Sequence, residues 1–207
     1  GYTVSIVDTS AAKSGRWGKT NSDNYAITVN CGKKTNIVFN GVKVMGLKTC
    51  DSYASIVATD SNFETDYTKT LNSKGKEHLS GYYAQYAERA QFTNCAFTGY
   101  NGATVTGKGE YSFVGCEFHS KGAFTENTAS LASDGNAVNV NTYAMTTGSG
   151  MLKVTFSESC KLISDYGYGI NVYLREGTES RCVVTADVST RYELSSGKIE
   201  KNEYKVS

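Results

Sequence analysis

Hydrophobic and polar residues alternate over short stretches of this chain, and one six-residue pattern occurs twice in nearly the same form. It reads Phe-Thr-Asn-Cys-Ala-Phe at residues 92–97 and Phe-Val-Gly-Cys-Glu-Phe at residues 113–118. Alternation with a period of two predicts β-strands. The two cysteines are 21 residues apart, and self-similarity at a period of about 20–30 residues is typical of stacked repeats. Each copy therefore predicts one coil of a β-solenoid.

The residue before each cysteine explains how both phenylalanines of a copy can face inward. Phe92 and Cys95 are three positions apart, which in a regular strand would place their side chains on opposite faces. Asn94 and Gly115 both tolerate a positive φ, so a bend at these residues brings the side chains back to one face. We therefore expect Phe, Cys and Phe of each copy to stack in the interior.

Looser copies extend the pattern along the chain. Val42 and Ser61 stand in the cysteine position of two copies, and Cys160 belongs to a third copy with one residue inserted. A second alternating motif occurs at residues 26–29, 103–105, 137–140 and 169–172. Two strands per coil joined by Gly, Asn and Lys turns predict an all-β protein, a single-stranded parallel β-helix of about six coils. A β-sandwich of short, evenly spaced strands is the alternative.

Two segments interrupt the repeats. Residues 64–80 and 120–135 keep no two-residue apolar period and are rich in polar residues, which predicts two long surface loops. A β-solenoid of 207 residues is comfortably one domain, so we expect a single β-helix domain over residues 1–207. The chain begins at Gly1 without a methionine, and we expect it to be part of a larger protein.

Composition and charge narrow the choice of partners. The chain has no proline, 21 glycines and 15 tyrosines, which suits short strands and tight turns. Lys and Arg number 21 and Asp and Glu 20, for a net charge of +1, so we expect no nucleic-acid partner. No apolar run approaches the roughly 18 residues of a membrane span, so we expect no membrane insertion. The expected oligomeric state is a monomer.

The six cysteines form no CxxC pair, and only His78 and His119 could add imidazole ligands, so neither a metal site nor a cofactor is predicted. Cys95, Cys116 and Cys160 occupy a position that also accepts Val42. A position that accepts valine packs in the interior, so we expect these three cysteines to be reduced and buried. The sequence does not decide between a disulfide and two free thiols at Cys31 and Cys50.

Three stretches resemble the pectin methylesterase family, whose members are right-handed parallel β-helices that demethylate pectin. Residues 90–103, Ala-Gln-Phe-Thr-Asn-Cys-Ala-Phe-Thr-Gly-Tyr-Asn-Gly-Ala, are similar to the family's A-x-F-x-N-C-x-F-x-G-Y-Q-D-T. Residues 36–41 resemble its N-I-T-F-E-N, and residues 173–184 its Y-L-G-R-P-W-x-x-Y-S-R-T-V-V. The resemblance implies a right-handed coil and a secreted or cell-surface location.

The resemblance also implies two catalytic aspartates, which this chain lacks. The acid/base position falls on Gly102 and the nucleophile position on Ala123. Both the covalent step and the proton transfers of this reaction need an ionisable oxygen. A glutamine position falls on Asn101, and Arg175 stands where the family has an arginine. We therefore expect no catalytic residues and no esterase activity.

A groove that remains on such a scaffold would suit an extended polymer. The candidate residues are aromatic stacking faces and hydrogen-bonding or charged groups: Tyr100, Asn101, Phe124, Glu126, Tyr173 and Arg175. Three hypotheses follow. The first is a domain that binds a polysaccharide or host glycan, or acts as an adhesin module. The second is a divergent carbohydrate esterase in which Glu126 replaces a lost carboxylate. The third is a structural stalk.

Overall fold

The computed structural model describes residues 2–9, 16–17, 25–68, 79–123, 135–142, 145–146 and 148–194. These residues form an all-β structure of three parallel sheets, with one short 3-10 helix at Glu179–Arg181. The strands are numbered in chain order, and the sheets are called A, B and C in the order in which the chain first enters them. No helix in these ranges is long and apolar enough to cross a membrane.

Sheet A contains seven of the described strands, in this order: β1 (Tyr2–Val7), β4 (Thr35–Asn40), β7 (Ala54–Thr59), β10 (Arg89–Thr93), β13 (Gly109–Val114), β16 (Leu152–Ser157) and β19 (Cys182–Ala186). Sheet B also contains seven: β2 (Arg16–Trp17), β5 (Lys43–Val44), β8 (Asn62–Glu64), β11 (Ala96–Gly99), β14 (Glu117–Ser120), β17 (Lys161–Ser164) and β20 (Arg191–Leu194). Sheet C contains six: β3 (Ile27–Val29), β6 (Leu47–Cys50), β9 (Ser80–Tyr86), β12 (Asn101–Val105), β15 (Val138–Asn141) and β18 (Ile170–Tyr173).

The chain visits sheets A, B and C in rotation, and each strand pairs in parallel with the strand three places later. This is the connectivity of a parallel β-helix. A sandwich of antiparallel strands is therefore wrong for this protein. The prediction of two strands per coil is also wrong, because each coil has three.

The third strand arises at the bend that the sequence predicted. Phe92 lies on β10 and Phe97 on β11, and Asn94, between the two strands, has a φ of 51°. Gly115 makes the same bend in the next copy, with a φ of 60°. The chain therefore leaves sheet A and enters sheet B within one copy of the pattern. The second motif of the sequence supplies sheet C.

Aromatic side chains fill the interior as two stacked columns. On the sheet A side, the ring of Phe113 stacks on Phe92 at 5.3 Å and on Phe156 at 5.4 Å. On the sheet B side, Phe97 stacks on Phe118 at 4.9 Å. The columns meet edge to face, as in the Phe113–Phe118 pair at 4.9 Å. Parallel in-register pairing puts each ring above its equivalent in the next coil, so the repeat in the sequence becomes the stack.

The cysteines of the repeat line the same interior. Cys95, Cys116 and Cys160 are buried and unbridged, as expected. The Cys116 Sγ–H donates to the Phe92 carbonyl at 3.4 Å, and the Cys160 Sγ–H donates to the Phe113 carbonyl at 3.3 Å. Because β13 pairs with β16, the long spacing from Cys116 to Cys160 is one coil with an excursion. Cys31 and Cys50 are free thiols too.

The two predicted loops lie partly outside the described residues, which omit 69–78 and 124–134. Their predicted bounds are too wide. Glu64 ends β8, Ser80 begins β9 and Ser120 ends β14, and Ser80 and Gly135 are buried. Both predicted loops therefore begin and end at residues that belong to a sheet or are buried beside one.

Candidate functional site

Tyr100 and Asn101, two of the predicted groove residues, lie at the corner where β11 gives way to β12. Tyr100 is nine-tenths buried and its hydroxyl donates to the Ala123 carbonyl at 2.6 Å. Asn101 is 1% exposed, and its Oδ1 accepts the backbone N–H groups of Gly135 at 2.7 Å and Asn136 at 3.2 Å. Tyr100 therefore holds the start of the second excursion and Asn101 holds its return. Neither residue presents a stacking face or an amide to solvent.

Gly102 and Ala123 are the positions that the resemblance assigns to catalytic aspartates. Gly102 is buried on β12, and a Cβ placed there would lie 2.5 Å from the Ala137 carbonyl oxygen and 3.0 Å from the Phe118 Cβ. The position therefore has neither a carboxylate nor room for one. Ala123 is exposed.

Tyr173 and Arg175 lie at the other end of sheet C. Tyr173 is half-buried at the end of β18, in register with Asn141. Arg175 comes two residues later. Its guanidinium donates to the Met145 carbonyl at 3.3 Å, and its backbone N–H donates to the Thr142 Oγ1 at 2.7 Å. Arg175 thus holds the turn after β15. Phe124 and Glu126 lie outside the described residues.

The predicted candidates are therefore not brought together. Asn101 begins β12, whereas Tyr173 ends β18, and both strands run in the same direction within sheet C. In register, Tyr173 lies five residue steps farther along the strands than Asn101, which corresponds to roughly 16 Å.

A different surface has the features of a binding site. The outer face of sheet A carries a shallow depression of about 300 Å³ across β10, β13 and β16. It is lined by Arg89, Gln91, Glu110, Tyr111, Ser112, Lys153 and Thr155. Apart from Tyr111, these side chains are polar or charged and point away from the interior. The register aligns them in two rows, Arg89–Glu110–Lys153 and Gln91–Ser112–Thr155.

The charges in the depression are not balanced. The Lys153 Nζ pairs with the Glu110 Oε1 at 3.3 Å. The Arg89 side chain is exposed, and its guanidinium forms no hydrogen bond or ion pair with the described part of the chain. Its guanidinium has donors left for a ligand, and the fork geometry fits a carboxylate in particular.

Sequence reasoning missed this surface, although the repeat contains a signal for it. Arg89, Glu110 and Lys153 each precede the first phenylalanine of their copy by three residues. Gln91, Ser112 and Thr155 each precede it by one residue, which in an alternating strand is the outward position. The same template that located the core therefore also locates the outward rows.

A second polar cluster lies where the strands of sheet B end. The His119 Nε2 is 3.0 Å from the Asp165 Oδ1, and the Lys121 Nζ lies 6.0 Å from the ring centre of Tyr67. No group of three or more His, Cys, Asp or Glu side chains in the described ranges could hold a metal ion. Here the Asp165 carboxylate is already paired with His119 and the Lys121 ammonium lies over a tyrosine ring. The Arg89 guanidinium has neither kind of contact with the described residues, so we take the outer face of sheet A as the candidate.

Comparison of the chain with protein families, with curated proteins and with solved structures finds no match.

Proposed function

We propose that this chain is a non-catalytic binding domain, a right-handed parallel β-helix of about six coils in a secreted or cell-surface protein. Its ligand is an acidic polysaccharide, from pectin or from a host glycan, that lies across the outer face of sheet A. The observation that carries the proposal is the Arg89 guanidinium in the depression over β10, β13 and β16, which has no partner among the described residues.

The chemistry of the depression suits a polymer of sugar acids. A guanidinium binds a carboxylate through two parallel hydrogen bonds, which are stronger than neutral ones. Gln91, Ser112 and Thr155 offer amide and hydroxyl groups beside it for sugar hydroxyls. Neighbouring strands repeat every 4.7–4.9 Å, so the two outward rows form a regular track. An extended chain can follow such a track without folding back.

The lack of catalysis rests on the two family positions. Gly102 and Ala123 supply no ionisable oxygen, and Gly102 has no space for a side chain. The divergent-esterase alternative would need Glu126 or another acid to replace them. The stalk alternative needs no ligand at all.

The test is binding of the chain to polygalacturonate, measured by isothermal titration calorimetry, beside methanol release from methylated pectin. We expect binding without methanol release. Arg89→Ala should weaken binding about 10- to 100-fold, since a hydrogen bond to a charged group contributes about 1.5–3 kcal/mol. The matched control is Arg191→Ala, which removes an exposed arginine from sheet B and should leave binding unchanged.

Three other outcomes would overturn the proposal. Methanol release that Glu126→Ala abolishes would establish an esterase. Absence of binding to acidic and neutral polysaccharides alike would favour the stalk. Binding that Arg191→Ala weakens as much as Arg89→Ala would mean nonspecific attraction between charges.

A further inference from the structure

The charges in the depression on sheet A alternate in sign from one strand to the next. Parallel register places Arg89 on β10 beside Glu110 on β13, and Glu110 beside Lys153 on β16. All three side chains are exposed and line the depression. Neighbouring strands lie about 4.8 Å apart, so the two cationic residues are roughly 10 Å apart with an acidic residue between them. The order of charges across the strands is therefore positive, negative, positive.

This charged row is bounded on both sides by uncharged residues. In the same register, Ser55 on β7 precedes Arg89 and Val183 on β19 follows Lys153. The Ser55 hydroxyl donates to the Glu88 Oε2 at 3.4 Å, and the Val183 side chain offers no polar group. A ligand that follows the row thus meets three charged side chains, one on each of three neighbouring strands.

The middle charge decides which acidic polymer fits the row. Each sugar ring advances an extended polysaccharide by roughly one strand spacing, so successive sugars meet successive strands. A polymer with a carboxylate on every sugar would bring its first and third carboxylates to the two cations and its second toward Glu110. Two like charges about 5 Å apart weaken binding about 4-fold even at the dielectric constant of water. A carboxylate on every second sugar avoids that repulsion.

Glu110 can also accept a hydrogen bond from an uncharged sugar. Its Oε1 lies 3.3 Å from the Lys153 Nζ, and its Oε2 has no partner among the described residues. A hydrogen bond to an ionised acceptor is stronger than one between neutral groups. An amide N–H or a hydroxyl on the middle sugar would therefore bind here, where a carboxylate would be repelled.

We infer that the ligand is a polymer in which uronic acids alternate with uncharged sugars, an inference that rests on the proposed binding function. One uronic carboxylate pairs with Arg89 and the next one with Lys153. The uncharged sugar between them donates an N–H or O–H group to Glu110. The site thus reads the spacing of the acids along the polymer in addition to their charge.

The experiment is isothermal titration calorimetry with two decasaccharides of equal length at about 0.15 M salt, where distant charges are screened. One is a fragment of polygalacturonate, with an acid on every sugar. The other is a fragment of hyaluronan, in which glucuronic acid alternates with an uncharged N-acetylated sugar. We expect the unmodified chain to bind the hyaluronan fragment at least about 4-fold more tightly.

Two variants test the two parts of the row. Glu110→Gln keeps the shape of the side chain and removes its charge, so the preference for hyaluronan over galacturonate should fall about 4-fold. Lys153→Met removes the second cation and should weaken binding of hyaluronan about 10-fold. The matched control is Glu117→Gln, which removes an exposed carboxylate from β14 in sheet B and should leave both affinities unchanged. All three variants should keep the circular dichroism spectrum of the unmodified chain.

The outcomes separate this inference from the proposed function. Galacturonate bound as tightly as hyaluronan would overturn the alternating pattern while binding of an acidic polymer stands. A preference that Glu110→Gln leaves unchanged, or hyaluronan binding that Lys153→Met leaves unchanged, would overturn it too. Absence of binding by both fragments would overturn the proposed function and this inference together.

Discussion

At the scale of single residues, the bend between sheets A and B depends on a backbone conformation that few side chains tolerate. Asn94 has a φ of 51°, and Asp60, which makes the bend of the preceding copy, has a φ of 50°. Left-handed conformations cost roughly 1–2 kcal/mol for ordinary L-residues, less for Asn and Asp, and nothing of the kind for glycine. The bends at Asp60, Asn94 and Gly115 thus use residues that adopt this conformation at low cost. The bend between β16 and β17 is an exception, because Glu158 and Ser159 make it with φ values of 54° and 62°.

The bend predicts different effects on stability for two substitutions at Asn94. Asn94→Ala should lower the free energy of unfolding by about 1 kcal/mol, because alanine pays the cost of the left-handed region without a compensating polar side chain. Asn94→Gly should leave it within about 0.5 kcal/mol, because glycine adopts that region freely. Urea unfolding followed by circular dichroism measures both. Equal losses for the two variants would show that the Asn94 side chain, and not its backbone, determines stability.

Asp51 is a residue at which pH should affect stability. Burial opposes its ionisation, but backbone N–H groups of Tyr53, Gly32 and Cys31 donate to its carboxylate and lower its pKa. The unfolded chain has the ordinary value of 3.8. Since the folded pKa is the lower one, the stabilisation is complete above the unfolded value and is lost as pH falls through the folded value.

The measurement is the free energy of unfolding of the unmodified chain and of Asp51→Asn between pH 7 and pH 2. Asp51→Asn should be less stable at pH 7, because its amide is a weaker acceptor for the three N–H groups. The difference between the two proteins should shrink below about pH 4. Glu117→Gln, at an exposed carboxyl on β14, serves as the control. A difference that does not depend on pH would remove the carboxylate charge from the explanation.

At the scale of the strands, the sequence predicted the repeat and its bend but not the number of strands in each coil. Phe92, Cys95 and Phe97 recur with a constant spacing, so their stacking could be predicted. A positive φ was also expected at Asn94, but the residue pattern does not say whether such a bend stays within one strand or leads the chain into a second sheet. Tyr100 and Asn101 were expected to face a groove, but the corner before β12 turns them inward. Arg89 belongs to no motif by its type, and only its register with Glu110 and Lys153 identifies it.

The close packing around Gly102, the second residue of β12, gives a prediction about a substitution there. Gly102→Asp should lower the free energy of unfolding by more than about 2 kcal/mol, because the new Cβ would lie 2.5 Å from the Ala137 carbonyl oxygen and a carboxyl would be buried. It should not produce methanol release from pectin. Gly148→Ala is the control, since nothing lies within 4 Å of its added Cβ. A stable Gly102→Asp variant with esterase activity would contradict both parts of this argument.

At the scale of the whole molecule, a β-helix is held together mainly by contacts between neighbouring coils. Stability in such repeat proteins is close to a sum of the coils and of the interfaces between neighbours. Phe92 and Phe113 stack on adjacent strands with their ring centres 5.3 Å apart. Phe39 and Phe156 occupy the same column on β4 and β16, which are separated by three strands in sheet A. That distance is roughly 19 Å at the usual spacing of strands.

This arrangement predicts which pairs of substitutions interact. Phe→Leu at each of these positions should cost about 1 kcal/mol, since the change keeps most of the volume. Phe39→Leu and Phe156→Leu should add within about 0.5 kcal/mol, whereas Phe92→Leu and Phe113→Leu should depart from additivity by more, because the second change no longer breaks an intact stack. Urea unfolding of the four single and two double variants gives both coupling energies. Strong coupling between Phe39 and Phe156 would mean that strain travels along the column beyond nearest neighbours, and the description as a stack of locally coupled coils would then fail.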